Sequence, residues 1–372
     1  MKADPRHIAV LVSGGVDSSL ALALTAQEAA RTGASVRAFY LKIWLEDELA
    51  FLGACPWEED LRYVRATTDA LGVPLEVISL QKAYHDRVVA YAITELRAGR
   101  TPSPDLMCNS RIKFGAFLEA VGDDFDAVVT GHYARRVESS ETIPELHRAP
   151  DPVKDQTYFL ARLSPEQVRR AHFPVGHLMK ADVRRLADLH QLPSRARPDS
   201  QGICFLGQIP YNDFVRAHLG DAPGPIVDRD TGRTLGEHRG LWFSTIGQRK
   251  GLGLGGGPWF VVDKDAATRT LYVAHATRAP DHERTTFEVE DVHWLGGVAP
   301  VLGDSGDPSS GDFRWTTKIR HGPQLLACAV SARADASSRL TVTLAAPEAG
   351  LAPGQFAIFY AGTRCLGSGI IA

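Results

Sequence analysis

Three short stretches carry residue types that could do chemistry. The first is Val10-Leu11-Val12-Ser13-Gly14-Gly15-Val16-Asp17-Ser18-Ser19. An apolar run from Ile8 to Val12 ends in two adjacent glycines and hydroxyl residues, then passes into an Ala/Leu-rich segment ending near Ala30. The pattern predicts a strand, a tight turn and a helix. Gly14 and Gly15 permit close approaches that a Cβ forbids, so their N–H groups can converge on an anion at the positive end of the helix dipole. Such a turn suits phosphate. It is neither the Walker loop, which needs two glycines four residues apart followed by Lys-Ser/Thr, nor the three-glycine dinucleotide fingerprint.

The second stretch, Gly99-Arg100-Thr101-Pro102-Ser103-Pro104-Asp105-Leu106-Met107-Cys108-Asn109, reads as a proline-stiffened loop between two helices, with Asn109 or Ser110 capping a helix that begins near Arg111. A thiol at a helix N-terminus near Arg111 and Lys113 would favour the thiolate, and Asp105 could serve as a proton acceptor beside it. The third, Asp199-Ser200-Gln201-Gly202-Ile203-Cys204-Phe205, is again a polar turn holding one cysteine. Each cysteine alone would read as a small buried hydrophobe. Together with a phosphate turn they suit sulfur transfer, in which one thiol carries a persulfide and a second releases the sulfur as a disulfide forms.

The elements that must position these stretches follow from the hydrophobic pattern. After the first strand and helix, Gly33 closes the helix and Ser35–Lys42 is a second strand. A helix over Glu58–Leu71, a strand over Leu75–Leu80, helices over Tyr84–Ala98 and Ile112–Val121, and a strand over Ala127–Thr130 complete an alternating series. That alternation predicts a doubly wound parallel α/β sheet, whose ligands lie beyond the C-terminal ends of the strands, where both Ser13-Gly14-Gly15 and Gly131-His132 fall. The middle is helical: Ser164-Pro165-Glu166-Gln167 is a capping box, and Lys180–Leu189 is a second helix. Arg162, Arg169, Arg170, Lys180, Arg184, Arg185, Arg195 and Arg197 gather there, which fits a solvated mixed-charge surface as well as an RNA-facing one.

Beyond Gly207 the chain turns to short β-prone segments, after a helix around Asn212–Leu219. These predict small β modules. The expected division is 1–206 for the phosphate-binding domain with a helical insertion, 207–275 for a central β domain and 276–372 for a C-terminal β-barrel. Residues 303–311 read as a mobile hairpin loop, and Thr245–Gly253, with Arg249 and Lys250, as a turn suited to an RNA backbone.

The chain has 372 residues, a formal charge of −3 and five cysteines. A near-neutral balance gives no argument for nucleic acid from the global field. Five scattered cysteines with no Cys-x-x-Cys make neither a disulfide framework nor a structural zinc site. Without a bilayer-length apolar run or signal core, the expectation is a cytoplasmic protein with no membrane contact.

Several motifs in order carry a resemblance. Besides the three stretches above they are Ile112-Lys113-Phe114, Thr130-Gly131-His132-Tyr133-Ala134, Lys154-Asp155-Gln156-Thr157-Tyr158-Phe159-Leu160, Phe173-Pro174-Val175-Gly176, Thr245-Ile246-Gly247-Gln248-Arg249-Lys250-Gly251-Leu252-Gly253, Val261-Val262-Asp263-Lys264-Asp265 and Pro353-Gly354-Gln355. Nearly end to end, the chain resembles the tRNA-specific 2-thiouridylases, enzymes of the PP-loop ATP pyrophosphatase superfamily that place sulfur on C2 of the wobble uridine of certain tRNAs. The resemblance implies a PP-loop (adenine nucleotide α hydrolase-like) domain followed by two small β domains. It implies ATP as the activating co-substrate, with Mg²⁺ on the pyrophosphate, tRNA (those for Lys, Glu and Gln) as partner, a sulfur-donor protein such as a cysteine desulfurase or sulfur-relay protein, and a monomer.

Carried over by position, the resemblance assigns the nucleotide to Leu11, Val12, Ser13, Gly14, Gly15, Val16, Asp17 and Ser18, with Leu41 and Gly131 completing the pocket. Cys204 would carry the persulfide and Cys108 would be the partner nucleophile. Ser103, Pro104 and Asp105 would contact the target base, Asp105 as acid/base group; His132, Lys154, Asp155, Gln156, Arg320, His321 and Gln355 would engage tRNA. Departures are Ile43 in Lys42-Ile43-Trp44, where many bacterial members have Asn, Ser103 where they have Asn, and Gln201 where Thr is common. These spare both cysteines and bear on the base pocket. Cys55, Cys328 and Cys365 are expected to be structural.

Overall fold

The computed structural model describes residues 6–43, 57–139, 143–199, 210–333 and 338–372. Cys55, Gln201 and Cys204 lie outside the described residues. The first layer is a parallel sheet built on β1 (His7–Leu11), whose last four residues are buried. It pairs with β2 (Ser35–Lys42) in the register Ile8↔Val36 and, on its other edge, with β4 (Ala127–Val129) in the register Ile8↔Ala127. With β3 (Leu75–Ser79) and β7 (Ala171–His172) the strand order is β3-β2-β1-β4-β7. The predicted parallel α/β sheet is therefore present. β7, at two residues, is too short to have left a periodic signature. The order reverses between β1 and β4, so the crevice beyond these two strands is the switch point where such sheets bind ligands.

Helix α1 (Val16–Thr32) covers the sheet with Leu20, Ala21 and Leu22, all solvent-free, and ends in the left-handed Gly33 at φ 78°. Helix α2 (Trp57–Leu71) packs against it. Next comes a run of α3 (Gln81–Tyr84), a π-helical turn (His85–Val89) and α4 (Ala90–Arg97). A second run joins α5 (Pro104–Cys108), a π-helical stretch (Asn109–Ala116) and α6 (Phe117–Val121). Here the structure corrects the sequence reading. The second helix starts at Pro104, whose fixed φ and missing N–H suit the first helical position, and not near Arg111. Cys108 therefore sits in the second turn, and Asn109 is no cap: its Nδ2 donates to the Asp105 carbonyl at 3.1 Å. The wide π turns leave carbonyls to be satisfied, and Gln167 Nε2 donates to those of Ser110 and Phe114 at 2.8 Å each.

The hairpin β5 (Ala134–Val137) and β6 (Glu145–Arg148) leaves the first sheet and joins the C-terminal barrel, β6 pairing antiparallel with β17 (Arg364–Ile371). After α7 (Thr157–Leu160) comes α8 (Pro165–Arg170), which carries the predicted capping box of Ser164 and Gln167. Helices α9 (Lys180–Leu189) and α10 (Tyr211–Leu219) lead to a four-stranded sheet ordered β10-β11-β8-β9, from β8 (Gly224–Asp228), β9 (Thr234–His238), β10 (Trp259–Asp265) and β11 (Thr270–His275). The final sheet contains β12 (Arg284–Trp294), β13 (Trp315–Lys318), β14 (Leu326–Ala332), β15 (Leu340–Glu348), β16 (Phe356–Ala361) and β17, and the β12–β17 pairing closes it. Residues 303–311 are not a hairpin loop. They hold short 3₁₀ turns pinned by Ser305, a solvent-free hydroxyl that donates to the Val330 carbonyl and accepts from the Val330 N–H.

Cys328 and Cys365 are buried in barrel strands, and burial pushes the Cys328 thiol up to about 12, as expected of structural cysteines. Barrel and first domain are joined by a buried charge pair. Asp155, 1% exposed, accepts from Lys318 Nζ of β13 at 2.8 Å and from Arg148 Nε of β6 at 3.1 Å, and also from Thr157. Burial pushes the Asp155 carboxyl up, but Lys318, Thr157 and Arg148 outweigh it and hold it below the ordinary range. Lys318→Met, which removes the closer of the two cations on a buried carboxylate and leaves it only Arg148, should cost about 2–4 kcal/mol in denaturant unfolding of the full chain, and Asp155→Leu combined with Lys318→Met should cost less. Because the Asp155 pKa is depressed, its contribution is present above the unfolded carboxyl pKa and lost as pH falls through the folded one; the curves of wild type and Lys318→Met should converge in acid.

Candidate active site

The phosphate turn leaves the C-terminal end of β1 as predicted. Gly14 takes φ +77°, and Gly15 occupies the N-cap position of α1 with no side-chain cap. The N–H groups of Gly14, Gly15, Val16 and Asp17 find no acceptor among the described residues, as expected of an uncapped helix start that awaits an anion. Ser18 Oγ shapes the turn from within, accepting from the Ser13 N–H at 3.1 Å and donating to the Gly15 carbonyl at 3.1 Å. Gly131, just past β4, lies so close that a Cβ there would sit 2.6 Å from the Ser18 nitrogen. The end of β4 therefore touches the first turn of α1. Leu11 and Val12 are buried beneath the turn, and Leu41 is half-buried near the end of β2.

Charged groups that sequence reasoning did not assign to the site surround this turn. Lys180 Nζ lies 2.7 and 2.9 Å from the two Asp17 oxygens and 2.8 Å from Asp199 Oδ1. Tyr133 donates its hydroxyl to Asp17 at 2.6 Å. Asp199 also receives Lys154 at 2.6 Å and Arg184. Burial pushes the Asp199 carboxyl up, but Lys154 and Lys180 outweigh it and hold it far below the usual range. Arg197 pairs with Asp60 of α2, and its Nη1 lies 2.9 Å from where a Gly14 Cβ would be. One signal was in the sequence: Lys180 is the first residue of α9, where a cation opposes the helix dipole. Its backbone N–H is held at 3.1 Å by Asp151, a side chain supplied by a distant loop.

The Gly99–Pro104 loop packs against the barrel. The Thr101 N–H donates to the Pro353 carbonyl at 2.8 Å, and a Cβ at Gly354 would lie 2.8 Å from Arg100 Cβ. Gly-Arg-Thr-Pro and Pro-Gly-Gln, far apart in sequence, form one surface. Ser103 precedes α5, while Asp105, in the first turn of α5, is close enough to His321 to act on its charge. His321 stacks on Phe159 at 4.6 Å, exposed beside Arg320, which Glu348 holds at 2.8 Å. Gln355 is half-buried in the same loop. Cys108 is 0% exposed, in a core shared with Leu11 and Phe39. The proposed activation by a helix N-terminus does not apply to it, and Arg111 is occupied by the Arg87 carbonyl and the Tyr91 ring.

Other assignments change with burial. Asp155 belongs to the buried pair described above and, at 1% exposed, presents no carboxylate at the surface. His132 is buried with its Nδ1 2.7 Å from Thr130 Oγ1, and burial followed by the Lys113 charge holds it neutral, so it lines the core beneath the strand end and is no phosphate contact. Gln156 accepts from the Tyr133 N–H at 3.0 Å, which fixes the tyrosine that meets Asp17. Of the basic group, Arg162 holds Asp291, Arg170 holds the carbonyls of Gly122 and Phe125, and Arg184 holds those of Arg195 and Arg197. Much of that charge is internal bracing. Arg249 and Lys250 are exposed. Ile43, at one of the departures, packs on the core of the first domain.

Comparison with known proteins bears on the whole chain. A family profile described as the tRNA methyl transferase HUP domain matches residues 6–208, one described as the tRNA methyl transferase PRC-barrel domain matches 212–275, and one described as the aminomethyltransferase beta-barrel domain matches 284–371. The tRNA-specific 2-thiouridylase MnmA of Parabacteroides distasonis is 43% identical over 367 residues, covering 98% of both chains. The tRNA-specific 2-thiouridylase MnmA 2 of Bacteroides fragilis is 44% identical over 371 residues, covering 98% of this chain and 99% of its own. That of Porphyromonas gingivalis is 41% identical over 372 residues, covering 98% of each.

The contact between the β4 end and the first turn of α1 can be tested with one methyl group. Gly131→Ala must push the β4 end off α1 and should cost about 1–3 kcal/mol while weakening nucleotide binding measured by calorimetry. Gly33→Ala, at a positive φ with nothing within 4 Å, should cost about 1 kcal/mol and leave nucleotide affinity unchanged.

Proposed function

The chain belongs to the tRNA-specific 2-thiouridylase family, and from that membership we propose that it converts the wobble uridine of tRNA to 2-thiouridine, consuming ATP and the sulfur of a cysteine persulfide. One observation carries this reading beyond kinship: a helix N-terminus with no side-chain cap and free N–H groups among the described residues stands at the switch point of a parallel sheet, in the same domain as the Gly99–Pro104 loop that packs on the barrel and leads into Ser103–Cys108. The first feature suits a nucleotide's phosphates, the second a base presented by RNA.

The chemistry divides in two. The uridine C2 oxygen is a poor leaving group, and its attack on the α phosphate of ATP expels pyrophosphate and makes that oxygen part of an AMP ester. The turn at Ser13–Ser18 would hold the departing pyrophosphate, with donors fixed before reaction. The described residues contain no group of three or more His, Cys, Asp or Glu able to hold a metal ion. A Mg²⁺ carried on the phosphate oxygens would neutralise charge on the leaving pyrophosphate, and Asp17, on the first turn of α1, is a carboxylate that could help hold it. In the second half the outer sulfur of a Cys204 persulfide bonds to C2 and AMP leaves. The Cys108 thiolate then attacks the Cys204 sulfur, the bond to the transferred sulfur breaks with its electrons going to the new thiocarbonyl, and a disulfide remains for an external thiol to reduce. Asp105, on the same helix start as Ser103, would move protons at the base.

Cys108 is solvent-free, so in this reading the α5 start must loosen when tRNA binds; the adjoining π-helical stretch is the kind of register fault that often marks such places. The tRNAs for Lys, Glu and Gln, a sulfur-donor protein, a monomeric state and the division at 206 and 275 belong to the same proposal. Incubation with ATP, a persulfide donor and unmodified tRNA, followed by nucleoside analysis, should give 2-thiouridine with AMP and pyrophosphate. Cys204→Ala or Cys108→Ser should abolish the product, Cys108→Ser while remaining folded though with a lowered thermal midpoint, because it puts a hydroxyl into the core. Full thiolation by the double variant, or a methylated nucleoside formed without AMP, would sink the reading.

A further inference from the structure

Lys180 is shared. A single ammonium bridges Asp17, on the first turn of the phosphate-turn helix, and Asp199, in the segment that runs on in sequence to Cys204. Each carboxylate keeps another partner should Lys180 leave it. Asp17 retains the Tyr133 hydroxyl at 2.6 Å, and Asp199 retains Lys154 at 2.6 Å together with Arg184. The Lys180 backbone is meanwhile anchored independently by Asp151. The contrast with Lys318 is instructive, because both members of the Lys318–Asp155 pair are 0% exposed and no entering anion can reach them. Lys180, Asp17 and Asp199 are 15%, 32% and 25% exposed at their side chains, so an entering anion can reach them.

We propose that Lys180 couples the filling of the phosphate turn to the anchoring of residues 197–199: a bound polyphosphate draws the ammonium from Asp199, and so loosens the segment that leads to the sulfur-bearing cysteine only when nucleotide is in place. The physical reason is competition. A polyphosphate carries several negative charges where Asp199 carries one, and the donors at the α1 start hold it within reach of the Lys180 side chain. Asp199 and the phosphate then compete for one cation, which makes the two sites reciprocally linked. Lys180 is a phosphate-contacting group in the filled state and a positioning residue in the empty one. This inference rests on the reading of the turn as an ATP site.

The test uses the full chain and an ATP analogue with a methylene bridge between the α and β phosphates, read by calorimetry and by amide exchange over residues 192–199. Lys180→Met should raise the analogue's Kd about ten- to hundredfold, with Lys180→Arg restoring most of the affinity. Asp199→Asn removes the competitor and should lower Kd by about threefold or more, and this gain should vanish in the Lys180→Met/Asp199→Asn pair. A purely structural role for Asp199 gives no such gain. In wild type the analogue should speed exchange over residues 192–199, and in Lys180→Met it should not. A wild-type chain that fails to bind the analogue overturns both the ATP reading and this inference. Binding that is unaffected by Lys180→Met, an affinity gain in Asp199→Asn that survives in the double variant, or wild-type exchange unmoved by nucleotide overturns the inference alone.

Discussion

A carboxylate withdrawn from water must find compensating charge, and Asp155 is where this constraint organises the molecule. Its oxygens collect Lys318 from the barrel, Arg148 from the β5–β6 hairpin and Thr157 from the helix between them. Burying the ions costs several kcal/mol each before their attraction is counted, so the pair is weak evidence for stability in itself. Its value is geometric. In the arrangement of hairpin, helix and barrel that satisfies these partners, the Pro353-Gly354-Gln355 turn seats on Arg100 and Thr101.

A second organisation of charge lies around the phosphate turn and obeys a different logic. There the groups are partly wet and redundantly partnered: Asp17, Asp60 and Asp199 hold Lys180, Arg197, Lys154 and Arg184 near an anion site. The cations are kept in place without being neutralised for good. Buried pairs fix the architecture, while half-exposed ones keep charge available at the site.

Much of this was legible in the sequence because it is local. β2 follows its apolar run at both ends, Gly33 ends α1 in the left-handed conformation, and the Ser164 capping box is where its residues put it. The phosphate turn was legible for the same reason, since one strand, two glycines and one helix suffice. What was not legible is long-range. The π-helical stretch has no 3.6-residue signature, so the helix around Cys108 was started at its middle. A buried Asp155 and a surface aspartate look alike in a motif, and their roles separate only when Lys318, far along the chain, arrives beside one of them. Lys180 and Arg197 looked like members of a basic face because nothing local says that Asp17 and Asp60 will meet them.

The exchange of the β5–β6 hairpin into the barrel sheet has a consequence for synthesis. β6 is made early, but its partner edge is β17, far later in the chain at Arg364–Ile371. On the ribosome the first domain can build its parallel sheet alone, yet the hairpin's outer edge must wait, unpaired and open to wrong partners, until the C-terminal strand emerges. The same strand closes the barrel against β12 and carries the chain past the Gly354 turn. Vectorial synthesis thereby delays the joining of hairpin and barrel, and with it the seating of the Gly354 turn on Arg100 and Thr101, until β17 has emerged.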